Sequence, residues 1–519
     1  MKSFVKYILL LSIIAAAFSS CKKKDEKLGG GTLNFSHDTL FFDTTVFTEI
    51  KTITRRVTVY NYNSNAVEIE EISVPEGSDF KLIINGRRTN NLKNHVLRGN
   101  DKLLILLEAT LEKNNIAGGD SILLVEEKIK FITNGAEQNV VLVAPSLDVY
   151  FHKDEVTGCD EVWRNDLPHV IYNSVLVPTG CKLTIEEGSA IFNHGRSGIF
   201  VEGNIEAIGT PEKRIIFTDD RLETDYNDIF GIWEGIFLLP NSTNNKLKWI
   251  VLENAVNGIR VNYFNRYKYD DDGNVIEEPD FFVNMSGGSL ELELSHSIIK
   301  SIGSNSNAPS FTGGLSYSGI GLIGRNCDIT VHNSLITNCT VGSAMFLLNG
   351  EYKAYNNTFA NYPVNGYNRS KDVRSFYASS ILLNSDGSID QGGNMELQFI
   401  NNIVYGENND PEEENNLDEI ILSMTDEFKI EITGFINNII KTEELKDALS
   451  GGENILNDSP FENSQFMDDH YNYNLEATSN AVDAGYSDLS VNTGITDIDI
   501  DLNGNVRTGD WDIGAFEVE

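Results

Sequence analysis

One short element recurs through the second half of the chain and restricts its fold more than any other feature. It reads LSHSII at 294–299, VHNSLI at 331–336, AYNNTF at 354–359, FINNIV at 399–404 and FINNII at 435–440. Each copy places Asn or Ser just before an apolar pair. From Ser297 the spacings are 37 to Ser334, 23 to Asn357, 45 to Asn402 and 36 to Asn438. Short strands with a period in the low twenties predict a solenoid, in which a coil buries its apolar face only by stacking on its neighbours. The longer spacings imply inserted loops or skipped coils. Polar residues at the bends can satisfy backbone groups that a tight turn leaves exposed. Insertions in solenoids collect on one face, often the binding face.

The repeat begins near Cys159. Val177 precedes a turn as Val201 does 24 residues later, Ile185 corresponds to Ala207 at an offset of 22, and Phe192 to Phe217 at 25. PHVIYNSVLVPTGCKLTIEEGSAIF, VEGNIEAIGTPEKRIIFTDDR and GIWEGIFL resemble the opening coils of right-handed parallel β-helix proteins of the pectate-lyase-like superfamily. A closer resemblance is to Bacteroidetes lipoproteins with a DRLE…Y.D…W signature, here Asp220-Arg221-Leu222-Glu223, Tyr226, Asp228 and Trp233. The resemblance implies a β-helix over 153–519. It does not imply one activity, because the superfamily holds lyases, hydrolases and adhesins. SNAVDAG (479–485) and DLNGNVRTGDWDIGAFE (501–517) resemble the ending of many such proteins. That ending implies a polar network of Asp483, Asp501, Arg507, Asp512 and Glu517 fastening the tail across the open last coil, with Ca²⁺ there as the alternative.

Between residues 32 and 152 the pattern differs. TRRVTVYNYN, FKLIING, DKLLILLEATL, EEKIKFITNG and QNVVLVAP are short alternating strands with no helical period between them, which predicts a β-sandwich. The segment resembles the immunoglobulin-like spacers near the anchors of bacterial surface proteins. The fold class expected for the whole chain is therefore all-β: an immunoglobulin-like β-sandwich, then a right-handed parallel β-helix.

The first residues read as an address. Lys2 and Lys6 precede an apolar run from Tyr7 to Phe18 and then small residues before Cys21, the order of a secretory signal. Ser19-Ser20-Cys21 resembles a bacterial lipobox, which implies cleavage after residue 20 and acylation of Cys21; the alternative is an ordinary signal with an incidental cysteine. KKKDEK after Cys21 resembles an export signal for the outer face of the outer membrane, and 21–31 reads as a flexible tether ending in KLGGG. Lipid through Cys21 is thus an expected partner. A formal charge of −37, from 77 acidic and 40 basic residues, argues against nucleic acid as a partner.

The candidate sites are few. Cys159 and Cys181 lie one coil apart and could close a disulfide, whereas Cys327 and Cys339, half a coil apart, read as small buried hydrophobes. Tyr263, Phe264, Tyr267 and Tyr269 fall in the insertion 262–287 and could form a platform on which sugars stack. Asp270, Asp272 and Asn274 share the spacing of a calcium loop, but Gly273 comes too early, and DDDGNV serves as well as a hairpin turn. DDRLETDYND (219–228) could supply paired carboxylates, bind Ca²⁺ or fix a loop through Arg221. No catalytic motif carries over from the lyases: Lys300 and Arg325 fall near coil positions, and His296 and His332 occupy bends. The expectation is a carbohydrate-binding or adhesion module without a required cofactor. The alternatives are a polysaccharide lyase or glycoside hydrolase acting on an acidic glycan, and an inert stalk.

Overall fold

A computed structural model describes residues 28–43, 45–113, 122–222, 229–262, 267–269, 275–277, 290–303, 318–362, 374–384, 386–406, 418–457, 459–461 and 473–518. The chain is all-β and divides into two compact units, Met1–Asp148 and Val149–Glu519. The division precedes residue 152 because Tyr150–Val156 pairs in parallel with His169–Val177 and so belongs to the second unit.

In the first unit all five alternating segments form strands. One antiparallel sheet pairs Arg55–Asn61 with Asp101–Ala109 and that strand with Phe80–Ile84. In the other, Leu123–Thr133 lies between Ala136–Leu147 and Val67–Ser73. Alternation puts Val57, Val59, Leu103 and Ile105 of the first sheet into one core with Ile69, Ile72, Phe131 and Val140 of the second. Residues 28–31 are docked rather than a free tether. Leu28 bridges Ala66, the Gly29 amide donates to the Ala66 carbonyl at 2.9 Å, and a Cβ on Gly29 would stand 2.8 Å from Asn65 Cβ.

The second unit is built on large parallel sheets of 17 and nine strands, an arrangement compatible with a β-helix. Strands advance coil by coil: Lys182–Ile185 pairs with Asn204–Ile208, then Asn245–Lys248, Glu291–Ser295, Asp328–His332, Gly350–Tyr355, Met395–Ile400 and Ile430–Ile436. Val177 stands opposite Val201 and Ile185 opposite Ala207, the pairs expected from the repeat. Phe192 does not pair with Phe217. Ile191 does, because Phe217 and Ile191 both point into the core while Phe192 points out.

The recurring polar pair has two separate tasks. Its first residue, His296, Asn333, Asn356, Asn401 or Asn437, adopts a left-handed φ of 49–58° and turns the chain. Its second faces inward and forms a ladder. Ser297 N donates to Ser334 Oγ at 3.1 Å, Ser334 N to Asn357 Oδ1 at 3.0 Å, Asn357 N to Asn402 Oδ1 at 3.0 Å, and Asn402 N to Asn438 Oδ1 at 2.8 Å. Each side chain thus satisfies the amide that the neighbouring bend removes from the strand ladder.

The segment 473–518 does not close the last coil, as its sequence suggests; it lies along the flank of the coils. The side chain of Asn437 donates to the Ala484 carbonyl at 2.8 Å, and that of Asn401 to Tyr486 at 3.1 Å. Asn356 and Asn333 both donate to Ile498 at 3.1 Å, and Arg214 donates to the Leu502 carbonyl. The left-handed bends leave these side chains pointing outward in a row, so the row binds extended backbone along its length. Within the tail, buried Arg507 donates to Glu517 Oε2 at 2.9 Å and to the Asp512 and Gly514 carbonyls at 3.0 and 2.6 Å. Asp501 accepts from the amides of Asn503, Asn505 and Glu517, and Asp512 from those of Asp483 and Val518. The five residues singled out by sequence do assemble, but they fold the tail on itself.

Candidate functional site

Four of the undescribed segments fall at the same point in the strand order. The chain is undescribed at 223–228, between Ile215–Asp219 and Gly235–Leu238, and at 304–317, between Ile298–Lys300 and Ile320–Arg325. It is again undescribed at 363–373, before Phe376–Ser379, and at 407–417, before Ile420–Ser423. All four segments therefore enter the same run of parallel strands at the same end. The insertion after Ile259–Val261 leaves from the other end of that run.

The strands between these loops are apolar on both faces. Ile236, Ile259, Leu322, Ala344 and Phe376 point into the core. Their outward neighbours form a second row, in which Phe200 stands opposite Phe237, then Arg260, Ile323, Met345 and Tyr377 in register. The Phe200 and Phe237 rings stack at 4.9 Å, and the Arg260 guanidinium lies 5.8 Å over Phe237. Although they face away from the core, Phe237, Arg260, Ile323 and Met345 are buried.

Carboxylates at the loop roots serve mainly to fix them. Asp219 accepts from the Arg221 amide and from the Asn254 side chain, both at 2.9 Å, and burial raises its pKa. Asp220 lies 2.6 Å from His194, whose ring stacks at 3.9 Å on Tyr172; burial, then the Asp220 charge, pushes the Tyr172 hydroxyl up to about 12. Burial also raises Glu234, against the pull of Arg196 and Arg260. Burial opposes ionisation of Asp418 as well, but the Thr442 hydroxyl and the Glu444 and Glu443 amides prevail and hold its pKa below the ordinary value. Glu419 accepts from the Ser375 hydroxyl at 2.7 Å. In the described part of DDRLETDYND, Asp219 to Leu222, the two aspartates are hydrogen-bonded to the Arg221 amide, Asn254 and His194.

The other candidates separate. Lys300 pairs with Glu253 at 3.1 Å, and the Arg325 guanidinium donates to Gln391. His296 and His332 are fully buried beneath the tail. Cys159 and Cys181 are joined as a disulfide with Cα atoms 4.4 Å apart, while Cys327 and Cys339 are buried thiols. Tyr267–Tyr269 and Val275–Glu277 pair antiparallel as a hairpin. Cys21, Tyr263, Phe264, Asp270, Asp272 and Asn274 lie outside the described residues, as do the side chains of Tyr267 and Tyr269. Among the described residues no group of three or more His, Cys, Asp or Glu is placed to hold a metal ion.

Sequence reasoning missed the outward row. Its signal is the loss of alternation in GIFL, IGLIGR and GSAMFL, whose residues are buried throughout.

No family model matches the chain, and no curated protein does. Among solved structures, one similar chain is a protein of unknown function from Porphyromonas gingivalis W83, at 14% identity and a TM-score of 0.16, covering 25% of this chain. Another is a family 123 glycoside hydrolase from Clostridium perfringens, studied for glycolipid glycan hydrolysis, at 7% identity and a TM-score of 0.17, covering 26% of this chain. The matches span 61% and 30% of those proteins' own lengths. Likenesses this slight carry no argument about fold or activity.

Proposed function

We propose that this chain is a surface lipoprotein, anchored by acylated Cys21 in the outer membrane and facing the exterior. In this reading an immunoglobulin-like sandwich carries a right-handed β-helix that binds carbohydrate. One observation carries the reading: an outward row runs across successive parallel strands, with the partly exposed rings of Phe200 and Tyr377 at its ends. Sugar rings stack on aromatic faces. Asp219, Asp220, Asp418 and Glu419 at the loop roots are engaged in hydrogen bonds, which favours binding over cleavage. Calcium remains a proposal for the loops alone.

The test is a glycan array on a soluble form bearing Cys21→Ser, with and without Ca²⁺. Binding to a defined class, at least tenfold weaker in Tyr377→Ala, is the expected result. Shortened glycans would favour the lyase or hydrolase, and neither binding nor cleavage would leave the stalk.

A further inference from the structure

Where the tail crosses the middle coils, two histidines meet it out of reach of solvent. His296 stands on a left-handed corner of the stack and His332 ends the strand just before the next one, at Asn333, and both side chains are fully buried. Their rings meet edge to face with centroids 5.3 Å apart. His296 Nε2 lies 3.0 Å from the Ile500 carbonyl of the tail, so it carries the proton and Nδ1 is bare. His332 Nδ1 lies 3.2 Å from the Asn333 amide nitrogen, which donates, so the proton of His332 sits on Nε2. The remaining nitrogens, His296 Nδ1 and His332 Nε2, stand 4.0 and 3.9 Å from the two carboxylate oxygens of Asp497, which also belongs to the tail. That is too long for a direct hydrogen bond.

We propose that His296, His332 and Asp497 form a pH-sensitive latch, which holds 473–518 on the flank while both imidazoles are neutral and releases it when they gain protons. The charges around the pair explain why. Lys248 contacts the Asp497 carboxylate, Lys246 pairs with Glu293 at 3.0 Å, and Arg214 faces Asp501. Arg214 also lies 4.9 Å over Trp249, whose ring stacks on His296 at 4.4 Å, and it donates to the His296 carbonyl at 2.8 Å. Each neighbouring anion already has its cation. Two imidazoliums would add two buried positive charges beside a single carboxylate, Asp497, whose charge Lys248 already offsets.

The direction of the pH dependence follows. Burial first, then His332 and Lys248 against the pull of Asp497, holds His296 at about 3; burial likewise holds His332 at about 4. Both lie below the ordinary 6.5, and in the proposed latch the rings return towards that value once the tail lifts and water reaches them. The docked state therefore binds fewer protons. Docking is at full strength above pH ~6.5 and weakens as the pH falls from there towards 4. With two such groups, the docking constant falls on the order of several hundred-fold between pH 7 and 5.

Amide hydrogen exchange on the intact protein, corrected for intrinsic rates, tests this. The expected result is a rise of that order in exchange of 473–518 between pH 7 and 5, while the strands of 320–361 keep their protection. Unchanged tail protection overturns the proposal, and so does loss in step with the strands, which would be global unfolding. Exchange at histidine C2, read by mass spectrometry on the unmodified chain, supplies a second measure. Both histidines should titrate below pH 5, and titration near 6.5 with the tail still protected overturns the latch. His296→Gln with His332→Gln keeps a donor near each Nε2 but cannot gain a proton. If that variant folds, its tail exchange should be flat from pH 7 to 5, and a retained slope overturns the assignment.

Discussion

Asn402 shows how one amide side chain joins three coils. Its Oδ1 accepts from the Asn357 amide and side chain, both at 3.0 Å, and its Nδ2 donates to Ala354 at 2.8 Å and to Ile400 at 3.1 Å. Its own amide donates to Asn438. Removing a partner from a buried group costs its full desolvation, about 1–3 kcal/mol, where a made bond contributes only about 1. Asn402→Ala should therefore destabilise the second unit by about 3 kcal/mol. A lower midpoint in urea with an unchanged slope would show it. A shift under 0.5 kcal/mol would mean that the ladder is ornamental (about the size of an ordinary surface substitution).

At the scale of elements, the first coil is tied to the next by more than strand pairing. Cys159 and Cys181, 22 residues apart, close it covalently. A loop of that length limits the unfolded chain enough to stabilise by about 3 kcal/mol. Cys159→Ser should lower the thermal midpoint, and alkylation of the unfolded, unreduced protein should leave this pair unlabelled. Labelling of both would refute the bridge. Much of this level was legible in the sequence: Ile185 opposite Ala207 and the five polar bends follow from spacing alone. Spacing gives a period but not the parity of the pleat, so Phe192 was matched to the wrong partner. The outward row was hidden for a related reason. Where both faces of a strand are buried, alternation disappears and the sequence cannot say which residues face the core. The tail was hidden by distance. Asn401 and Tyr486 are 85 residues apart, and no local pattern records that pairing.

Across the whole molecule, the acidic charge and the proposed anchor bear on where the protein acts. With a formal charge of −37 the chain is repelled by anionic lipid, so the proposed anchoring would rest on acylation of Cys21. A Cys21→Ala variant should leave the membrane fraction and appear in the soluble one. Retention on membranes would sink the anchor. The row of outward side chains from His296 to Asn437 adds a constraint on assembly. These five bends are synthesised before the residues that cover them. Until 473–518 has emerged, an almost complete stack of coils presents a line of unoccupied amides to whatever extended chain is nearby. Docking of that segment seals a seam, and a molecule halted before it would be folded in its core yet open along one side.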